Sequence, residues 1–327
     1  MLISAIILKR SAIKRQIIQD LLSDIKLTKY QKERLTIEIG LIRADHEIAN
    51  RFTDYIEKNK SEVEAFLSYL DPESKDEINT IIEEISFMSN HTLMEAVQKY
   101  ISNREKILKH ITKMEAIKNS YKLSLELHEE GIFIYNHGLI FLTQKVIKSL
   151  RNKVFLDCGA FAGDSALMFE KEYFPSKIYS FEPISENYQY LLETIKINHL
   201  VKVLPVQKGV GEENCIKKLS PLCMSSCVNE EGTEEVELVS IDEFVKQHNL
   251  SVGLIKMDLE GYEFEALNGA RETIKKFRPV LLISIYHHPE ELFGTKKYIQ
   301  EMVPEYNFKI KHLADIRPLG EIHLIAW

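Results

Sequence analysis

The sequence predicts an α/β fold with a mostly parallel sheet, preceded by an all-α N-terminal region. Of its 13 glycines and 9 prolines, all but Gly40, Gly131, Gly138 and Pro72 follow residue 150 of the 327. Because glycine and proline mark turns, we expect long helices before residue 150 and many short elements after it. There, short apolar segments alternate with amphipathic ones, as in parallel sheets covered by helices. We therefore expect a helical domain over residues 1–128 and an α/β domain over residues 129–327.

Apolar residues at helical spacing define the N-terminal helices. Ile13, Ile17 and Leu21 recur at four-residue steps, which is typical of an amphipathic helix. Asp71 before Pro72 has the pattern of a helix N-cap, and Thr92 has capping-box spacing to Glu95. The predicted helices cover residues 10–45, 46–70, 72–88 and 92–126.

These helices carry no recognisable chemistry. We expect them to serve assembly, for example as the surface of a homodimer, or to recognise the acceptor of a reaction. The alternative is a helix lying on a membrane surface through Lys9, Arg10 and nearby basic residues. Asp20 and Asp24 interrupt that basic face, which disfavours this alternative.

The composition excludes several classes of protein. The net charge of −7 and the 45% apolar residues are those of an ordinary folded protein, and the sequence has no apolar run long enough to span a membrane. Residues 151–327 carry the whole negative charge, which argues against a nucleic-acid partner. Four cysteines and the lack of a signal-peptide cleavage pattern predict a cytoplasmic location.

The strands and helices of the second part can be placed one by one. Ligands of such parallel sheets bind at the carboxyl ends of the strands, so the residues that follow each strand are the candidate site. Predicted strands cover 154–156, 178–181, 201–206, 236–241 (an exposed or edge strand), 254–257, 280–285, 308–312 and 322–325; predicted helices cover 165–173, 185–197 and 262–277.

The loop after the first strand contains two glycines, Gly159 and Gly163. The first allows a sharp turn and the second lets a helix begin close to a ligand. The spacing is not that of the dinucleotide fingerprint, and no basic residue is placed to hold a diphosphate. The pattern suits a ligand without phosphates, such as S-adenosylmethionine, or else a plain tight turn.

The second strand ends in Glu182 and Pro183. An acid at this distance from the glycine turn can accept hydrogen bonds from both ribose hydroxyls of a nucleoside. The alternative is a solvated carboxylate. Pro183 ends the strand, and Ser185 is placed to cap the next helix.

Charged side chains also stand at the ends of the predicted strands 254–257 and 280–285. Lys256, Asp258 and Glu260 stand at one strand end, where paired acids can bind a metal, act as a general base or anchor a cation. Asp258 and Glu260 share a face if the strand continues. The alternative is an acid-rich helix start, which leaves Lys256 and Asp258 unexplained. His287 and His288 follow the predicted strand 280–285 and suit proton abstraction. Zinc is disfavoured because Cys223 and Cys227 lack a matching second pair.

Four motifs in this order resemble the FkbM-type S-adenosylmethionine-dependent methyltransferases. They are FLDCGAFAGD at 155–164, YSFEP at 179–183, LIKMDLEGYE at 254–263 and IYHH at 285–288, and Ser225-Ser226 resembles a serine pair of that family. Cys158 departs from the usual aliphatic residue, and Lys208-Gly209-Val210-Gly211 lacks the acid that commonly follows the glycine. The resemblance covers residues 130–327.

The resemblance implies a Rossmann-like class I methyltransferase sheet with an antiparallel last strand. It also implies O-methylation, often of a sugar hydroxyl in a glycan or of a natural product. S-adenosylmethionine is the implied cofactor, no metal ion is expected, and the partner is a small-molecule or glycan acceptor. The alternatives are a nicotinamide-dependent oxidoreductase and an interaction protein without catalytic activity.

Two sets of site residues follow from the motifs and the resemblance together. Asp258, His287 or His288 would take the proton of the acceptor, and Lys256 would hold Asp258 ionised or contact the acceptor. The residues expected to bind the cofactor are Asp157, Gly159, Ala160, Gly163, Asp164, Ser165, Glu182, Pro183, Asn187, Gly209, Asp258 and Glu260.

Overall fold

The computed structural model describes residues 27–219 and 234–327, which form two compact units. The helical unit contains the described residues up to Ser120 together with His312–Glu321, and the α/β unit contains Tyr121–Lys311 and Ile322–Trp327. The sequence predicts a single boundary at residue 128, whereas the chain passes between the units after residues 120, 311 and 321. Residues 1–26, with most of the apolar pattern of the first predicted helix, lie outside the described residues, as do Cys223, Cys227 and Ser225-Ser226.

Capping residues mark where several helices of the helical unit begin. Thr28 and Gln31 form a capping box at the start of the first described helix. The predicted cap at Asp71 and the capping box of Thr92 with Glu95 are confirmed. The described helices before residue 121 are α1 (Lys29–Lys58), α2 (Lys60–Ser68), α3 (Pro72–Asn90), α4 (Leu93–Ile101) and α5 (Arg104–Ser120).

Several predicted helix boundaries are wrong, and polar residues lie at two of these places. The predicted end at residue 45 lies inside α1, where the buried Asp45 carboxylate accepts hydrogen bonds from Arg317 Nε (3.2 Å) and the Leu319 N–H (3.0 Å). The predicted helix 92–126 is broken at Asn103, whose side chain accepts a hydrogen bond from the Lys106 N–H and caps α5.

The core of the helical unit is formed largely by α1 and α3. Leu35, Ile42 and Phe52 of α1 are buried, as are Ile78 and Met88 of α3. Such apolar burial supplies most of the stability of a helical unit.

A charged group also lies buried in this unit. The Glu38 carboxylate forms an ion pair with Arg34 and accepts a hydrogen bond from its guanidinium group. His110 Nε2 lies 2.9 Å from the same Glu38 oxygen. Burial would raise the pKa of Glu38, but Arg34 and His110 lower it to about 2. The buried ion pair between Glu38 and Arg34 therefore exists only while the Glu38 carboxyl is ionised.

The α/β unit contains a seven-stranded sheet. Its strands are β1 (Val154–Cys158), β2 (Lys177–Phe181), β3 (Val203–Val206), β7 (Val252–Met257), β8 (Val280–Ser284), β9 (Phe308–His312) and β10 (Ile322–Ala326). The order is β3-β2-β1-β7-β8-β10-β9, with β10 antiparallel to β8 and the pairs from β3 to β8 parallel. The predicted class of sheet, with its antiparallel end, is confirmed.

Helices cover this sheet. The predicted helices 165–173 and 185–197 agree with the structure to within one residue, whereas the sequence pattern predicts no helix over residues 289–302. The helices are α6 (Glu130–Phe133), a 3-10 helix (Asn136–Phe141), α7 (Gln144–Ser149), α8 (Asp164–Tyr173), α9 (Ser185–Asn198), α10 (Ile241–Gln247), α11 (Glu263–Asn268), α12 (Arg271–Phe277) and α13 (Pro289–Met302). None of the helices within residues 27–219 and 234–327 is long and apolar enough to cross a membrane.

Two further predictions for the second part of the chain are wrong. One concerns a strand of a small second sheet, and the other concerns a helix. The strand expected at an edge, β6 (Glu234–Val239), is the centre of a three-stranded sheet, because β4 (Gly209–Val210) and β5 (Cys215–Leu219) pair on its two sides. The predicted helix 262–277 is two helices. Asp242 explains the break, since its carboxylate accepts the N–H groups of Glu272 and Thr273 and begins α12 there.

Candidate active site

The glycine turn lies where the strand order of the sheet changes direction. β1 is flanked by β2 on one side and β7 on the other, which is the place where open α/β sheets bind ligands. Gly159 has φ +82°, and a Cβ there would stand 1.9 Å from the Asp258 carbonyl oxygen. Gly163 also has φ +82° and is the N-cap of α8. The turn is therefore closed to larger side chains and brings backbone N–H groups to the sheet edge.

A buried ion pair holds this turn in place. Lys256 Nζ lies 3.3 Å from Asp157 Oδ1 and donates a 2.6 Å hydrogen bond to the Gly159 carbonyl oxygen. Ser180 Oγ donates to the other Asp157 oxygen at 3.2 Å. Burial would lower the pKa of Lys256, but Asp157 and Asp258 raise it. Lys256 is 3% exposed, so these contacts favour a positioning role over contact with an acceptor.

Glu182 joins the second strand to the same turn. Its two carboxylate oxygens accept the N–H groups of Phe161 and Ile184, both at 2.9 Å, and Asn187 Nδ2 lies 3.4 Å away. A carboxylate has about four acceptor positions, so these three donors leave room for about one ribose hydroxyl rather than the two expected. Burial raises the pKa of Glu182 to about 7, although these hydrogen bonds act to lower it.

The first turn of α8 is also polar and buried. Asp164 accepts a 2.7 Å hydrogen bond from the Ser165 N–H, and burial together with Glu129 raises its pKa to about 7. The Ser165 hydroxyl lies 2.9 Å from His137 Nε2. Ala160, by contrast, presents its backbone, since its N–H donates to the Phe181 carbonyl at 2.9 Å.

Two further residues expected at the cofactor lie near one another. A Cβ on Gly209 would stand 3.6 Å from the Pro183 Cβ, so β4 approaches the end of β2 at this point. The same Cβ would stand 2.4 Å from Leu238 Cδ2. Gly209 thus permits the packing of the small sheet, and its contact with a cofactor stays a prediction.

Acidic side chains converge on His287. Strand β7 ends at Met257, and Glu260 adopts φ +56°, so Asp258 and Glu260 do not share a face of a continued strand as expected. The turn nevertheless brings both to one ring edge: His287 Nε2 lies 3.6 Å from Asp258 Oδ1 and 3.5 Å from Glu260 Oε2. Its Nδ1 lies 3.3 Å from Glu263 Oε1.

The carboxylates decide the charge of His287. Burial alone would lower the pKa of His287, but Glu263, Glu260 and Asp258 raise it to about 10. At neutral pH the ring therefore carries its proton, which disfavours His287 as a general base. His288 is half-buried at the N-cap of α13, and its backbone N–H donates to Glu291 at 3.1 Å.

Sequence reasoning missed buried polar residues that surround this site. His323 on β10 is fully buried opposite Ser284, and burial lowers its pKa to about 4. His137 packs with its ring centroid 5.4 Å from that of His323. Glu291 is buried against Glu263, and burial with that neighbour raises its pKa. A histidine within the apolar strand Ile322–Ala326 is a signal that could have been used.

Residues 157–310 match the family model of the methyltransferase FkbM domain, so this part of the chain is a methyltransferase domain of that family. The match confirms the resemblance of the motifs and S-adenosylmethionine as the cofactor of the class. It favours a methyltransferase over an oxidoreductase or an inert interaction protein. His137 and His323 lie outside the matched residues.

Solved structures agree on the fold. Methyltransferase FkbM from Methylobacillus flagellatus KT superposes with a TM-score of 0.59 at 20% identity, over 85% of this chain and 61% of that one. This chain thus spans less than two thirds of that protein. An rRNA methylase from Streptococcus thermophilus (TM-score 0.37, 10% identity, 61% and 96% covered) and a methyltransferase from Geobacter sulfurreducens (0.37, 11%, 66% and 86%) are too distant to support a conclusion. No curated protein matches the sequence.

Proposed function

We propose that the protein transfers a methyl group from S-adenosylmethionine to a hydroxyl oxygen, with a glycan or a hydroxylated natural product as acceptor. The observation that carries the proposal is the contact between the glycine turn and the acidic cluster. The Asp258 N–H donates to the Cys158 carbonyl at 3.1 Å, and the space of a Gly159 Cβ is filled by the Asp258 carbonyl. A donor held by the turn would lie beside the carboxylates.

The residues at the turn fit such a donor. The left-handed Gly159 and Gly163 leave a cradle without side chains, and Glu182 retains about one acceptor position at its edge. S-adenosylmethionine supplies an activated methyl group on a positively charged sulfur. Lys256 and Asp157 hold the turn in place, so the protein aligns the two reactants before transfer.

The acceptor hydroxyl must lose its proton during transfer. We assign Asp258 as the group that accepts it, because its side chain is 22% exposed, whereas His287 is almost fully buried and is protonated at neutral pH. His287 would then orient Asp258 and Glu260 as a positioning residue. Lys256 keeps its role at the turn.

The test is methyl transfer itself. Isotope-labelled S-adenosylmethionine is incubated with the protein and a library of glycan precursors and cell extracts, and the labelled product is identified. We expect a new O-methyl ether, and we expect Asp258→Asn to lower its formation by about 100-fold, the usual size of a general-base contribution. The control is Glu290→Gln, an exposed acid of the same region. A labelled product methylated on nitrogen or carbon would contradict the proposed acceptor.

A further inference from the structure

An exposed aromatic ring lies near the amino ends of the strands, away from the glycine turn. Phe174 follows α8 directly, is 53% exposed and has φ +53°. A bulky side chain rarely adopts this left-handed conformation, which glycine or asparagine usually takes at the end of a helix. The chain therefore keeps an apolar ring in water at a position that strains its backbone, and packing within the described residues gives no reason for it.

A second apolar side chain belongs to the same part of the surface. Val201, just before β3, is 82% exposed. The Glu170 carboxylate of α8 accepts the N–H groups of Val201 at 3.0 Å and Lys202 at 2.9 Å. Glu170 lies one helical turn before Phe174, so the two apolar side chains stand close together. The acid between them is engaged by backbone N–H groups.

Two basic side chains border the ring on the side of β1. The Asn152 N–H donates to the Phe174 carbonyl at 3.2 Å, and the Ser176 N–H donates to the Lys153 carbonyl at 2.9 Å. The guanidinium carbon of Arg151 lies 5.7 Å from the centroid of the Phe174 ring. Arg151 and Lys153 are both exposed, so positive charge flanks the ring.

Two further lysines stand side by side on the neighbouring strands. Ile178 pairs with Val203 in parallel register, so Lys177 lies opposite Lys202 on strands about 4.8 Å apart. Like charges opposite one another destabilise a sheet. Within residues 27–219 and 234–327, neither lysine forms an ion pair. The arrangement is unfavourable in the free protein and becomes favourable against an anionic surface.

We propose that this surface, here called the basic edge, docks onto a membrane that contains anionic lipids. The basic edge consists of Arg151, Lys153, Phe174, Lys177, Val201 and Lys202. Each basic side chain held near anionic headgroups strengthens membrane binding by about fivefold, and exposed aromatic and aliphatic side chains can enter the boundary between headgroups and acyl chains.

The composition of the basic edge favours a lipid surface over a nucleic acid. Val201 is the most exposed of its apolar side chains, and an aliphatic side chain offers no ring on which a base could stack. A nucleic acid that follows the surface would also meet the acidic remainder of residues 151–327, whereas a flat bilayer touches the basic edge alone.

Docking in this way would leave the glycine turn facing away from the bilayer. The basic edge lies at the amino ends of β1, β2 and β3, and the turn follows the carboxyl end of β1. Strands of this length separate the two by about 15 Å. The acceptor would therefore reach the site from the water side. Lipid binding needs neither donor nor acceptor, so it does not rest on the proposed function.

The test is co-sedimentation of the full chain with vesicles of phosphatidylcholine alone, and with vesicles of equal parts phosphatidylcholine and phosphatidylserine. We expect binding to the anionic vesicles only. The double variant Lys177→Gln/Lys202→Gln should weaken it by about 20-fold. Phe174→Asn should weaken it by about fivefold through the lost apolar area. Asparagine tolerates the left-handed conformation better, so the unfolding temperature of this variant should stay the same or rise.

Matched controls come from the helical unit. Lys58→Gln/Lys60→Gln removes two exposed lysines there, and Tyr69→Asn removes an exposed ring; both should bind vesicles as the wild type does. Weaker binding by the Lys177/Lys202 and Phe174 variants without loss of stability, checked by circular dichroism, would support docking and separate it from a structural role.

Three results would overturn the membrane as the partner. The first is no sedimentation of the wild type with anionic vesicles, or equal sedimentation with neutral ones. The second is full vesicle binding by either variant of the basic edge. The third is binding of DNA or an acidic peptide through Lys177 and Lys202 without vesicle binding, which would assign the basic edge to a different anionic partner.

Discussion

The ammonium group of Lys256 donates a 2.6 Å hydrogen bond to the carbonyl oxygen of Gly159. A side chain of β7 thereby fixes the turn that follows β1, although the two residues are 97 positions apart in the chain. The same ammonium neutralises Asp157, which is fully buried. The shape of the proposed donor site and the stability of the sheet thus depend on one cation.

Replacing this cation should destabilise the protein. Lys256→Met leaves the Asp157 carboxylate buried without its partner, which typically costs about 3–5 kcal/mol of unfolding free energy. Urea unfolding measures the loss. The control is Lys275→Met, whose exposed pair with Glu272 has the same 3.3 Å separation and should contribute about 0.5 kcal/mol or less. Equal effects of the two substitutions would contradict the role of Lys256.

A methyl group at the glycine turn should weaken donor binding. Gly159→Ala places a Cβ 1.9 Å from the Asp258 carbonyl oxygen in a left-handed conformation, so the turn must open. We expect S-adenosylmethionine affinity, measured by calorimetry, to fall by at least about fivefold, since such strain costs about 1 kcal/mol or more. Gly294→Ala is the matched control, because its Cβ would meet only Phe264 Cζ, at 3.3 Å. Retained affinity in Gly159→Ala would remove the turn from the donor site.

Donor affinity should depend on pH through Glu182. Its pKa is raised to about 7, so the carboxylate that we expect to accept a ribose hydroxyl forms as pH rises above that value. Affinity should therefore fall by up to about tenfold from pH 8 to pH 6. Glu182→Gln, which cannot ionise, should bind more weakly with a flatter profile. A profile unchanged by this substitution would show that Glu182 does not contact the donor.

In the helical unit, low pH should weaken the buried ion pair between Glu38 and Arg34. The pKa of Glu38 is lowered to about 2, so its contribution is complete above the unfolded value near 4.3 and is lost as pH falls through about 2. Glu38→Gln should destabilise the unit by about 3 kcal/mol at neutral pH. Amide hydrogen exchange of residues 35–52 reports the change. Glu47→Gln, from an exposed pair with Arg43, should have little effect.

The features that sequence could predict are local ones. Gly159, Glu182 and the acidic residues that begin at Asp258 could be picked out from the sequence, because turns, strand ends and helix caps are encoded by neighbouring residues. The helix boundary at Asp45 could not be predicted, because its carboxylate is satisfied by Arg317, 272 positions away. The charge of His287 depends in the same way on side chains from a different strand end. Partners distant in the chain decide whether a polar residue ends a helix, lies in a core or forms a site.

The membership of residues 312–321 in the helical unit has a consequence for how the protein can be divided. A fragment that begins after Ser120 would keep Arg317 but lose Asp45, leaving the segment between β9 and β10 without the carboxylate that binds it. No single cut separates two independent modules. We therefore expect exchange of the N-terminal helices between related proteins to require matched changes near the C-terminus, so that the two parts are inherited together.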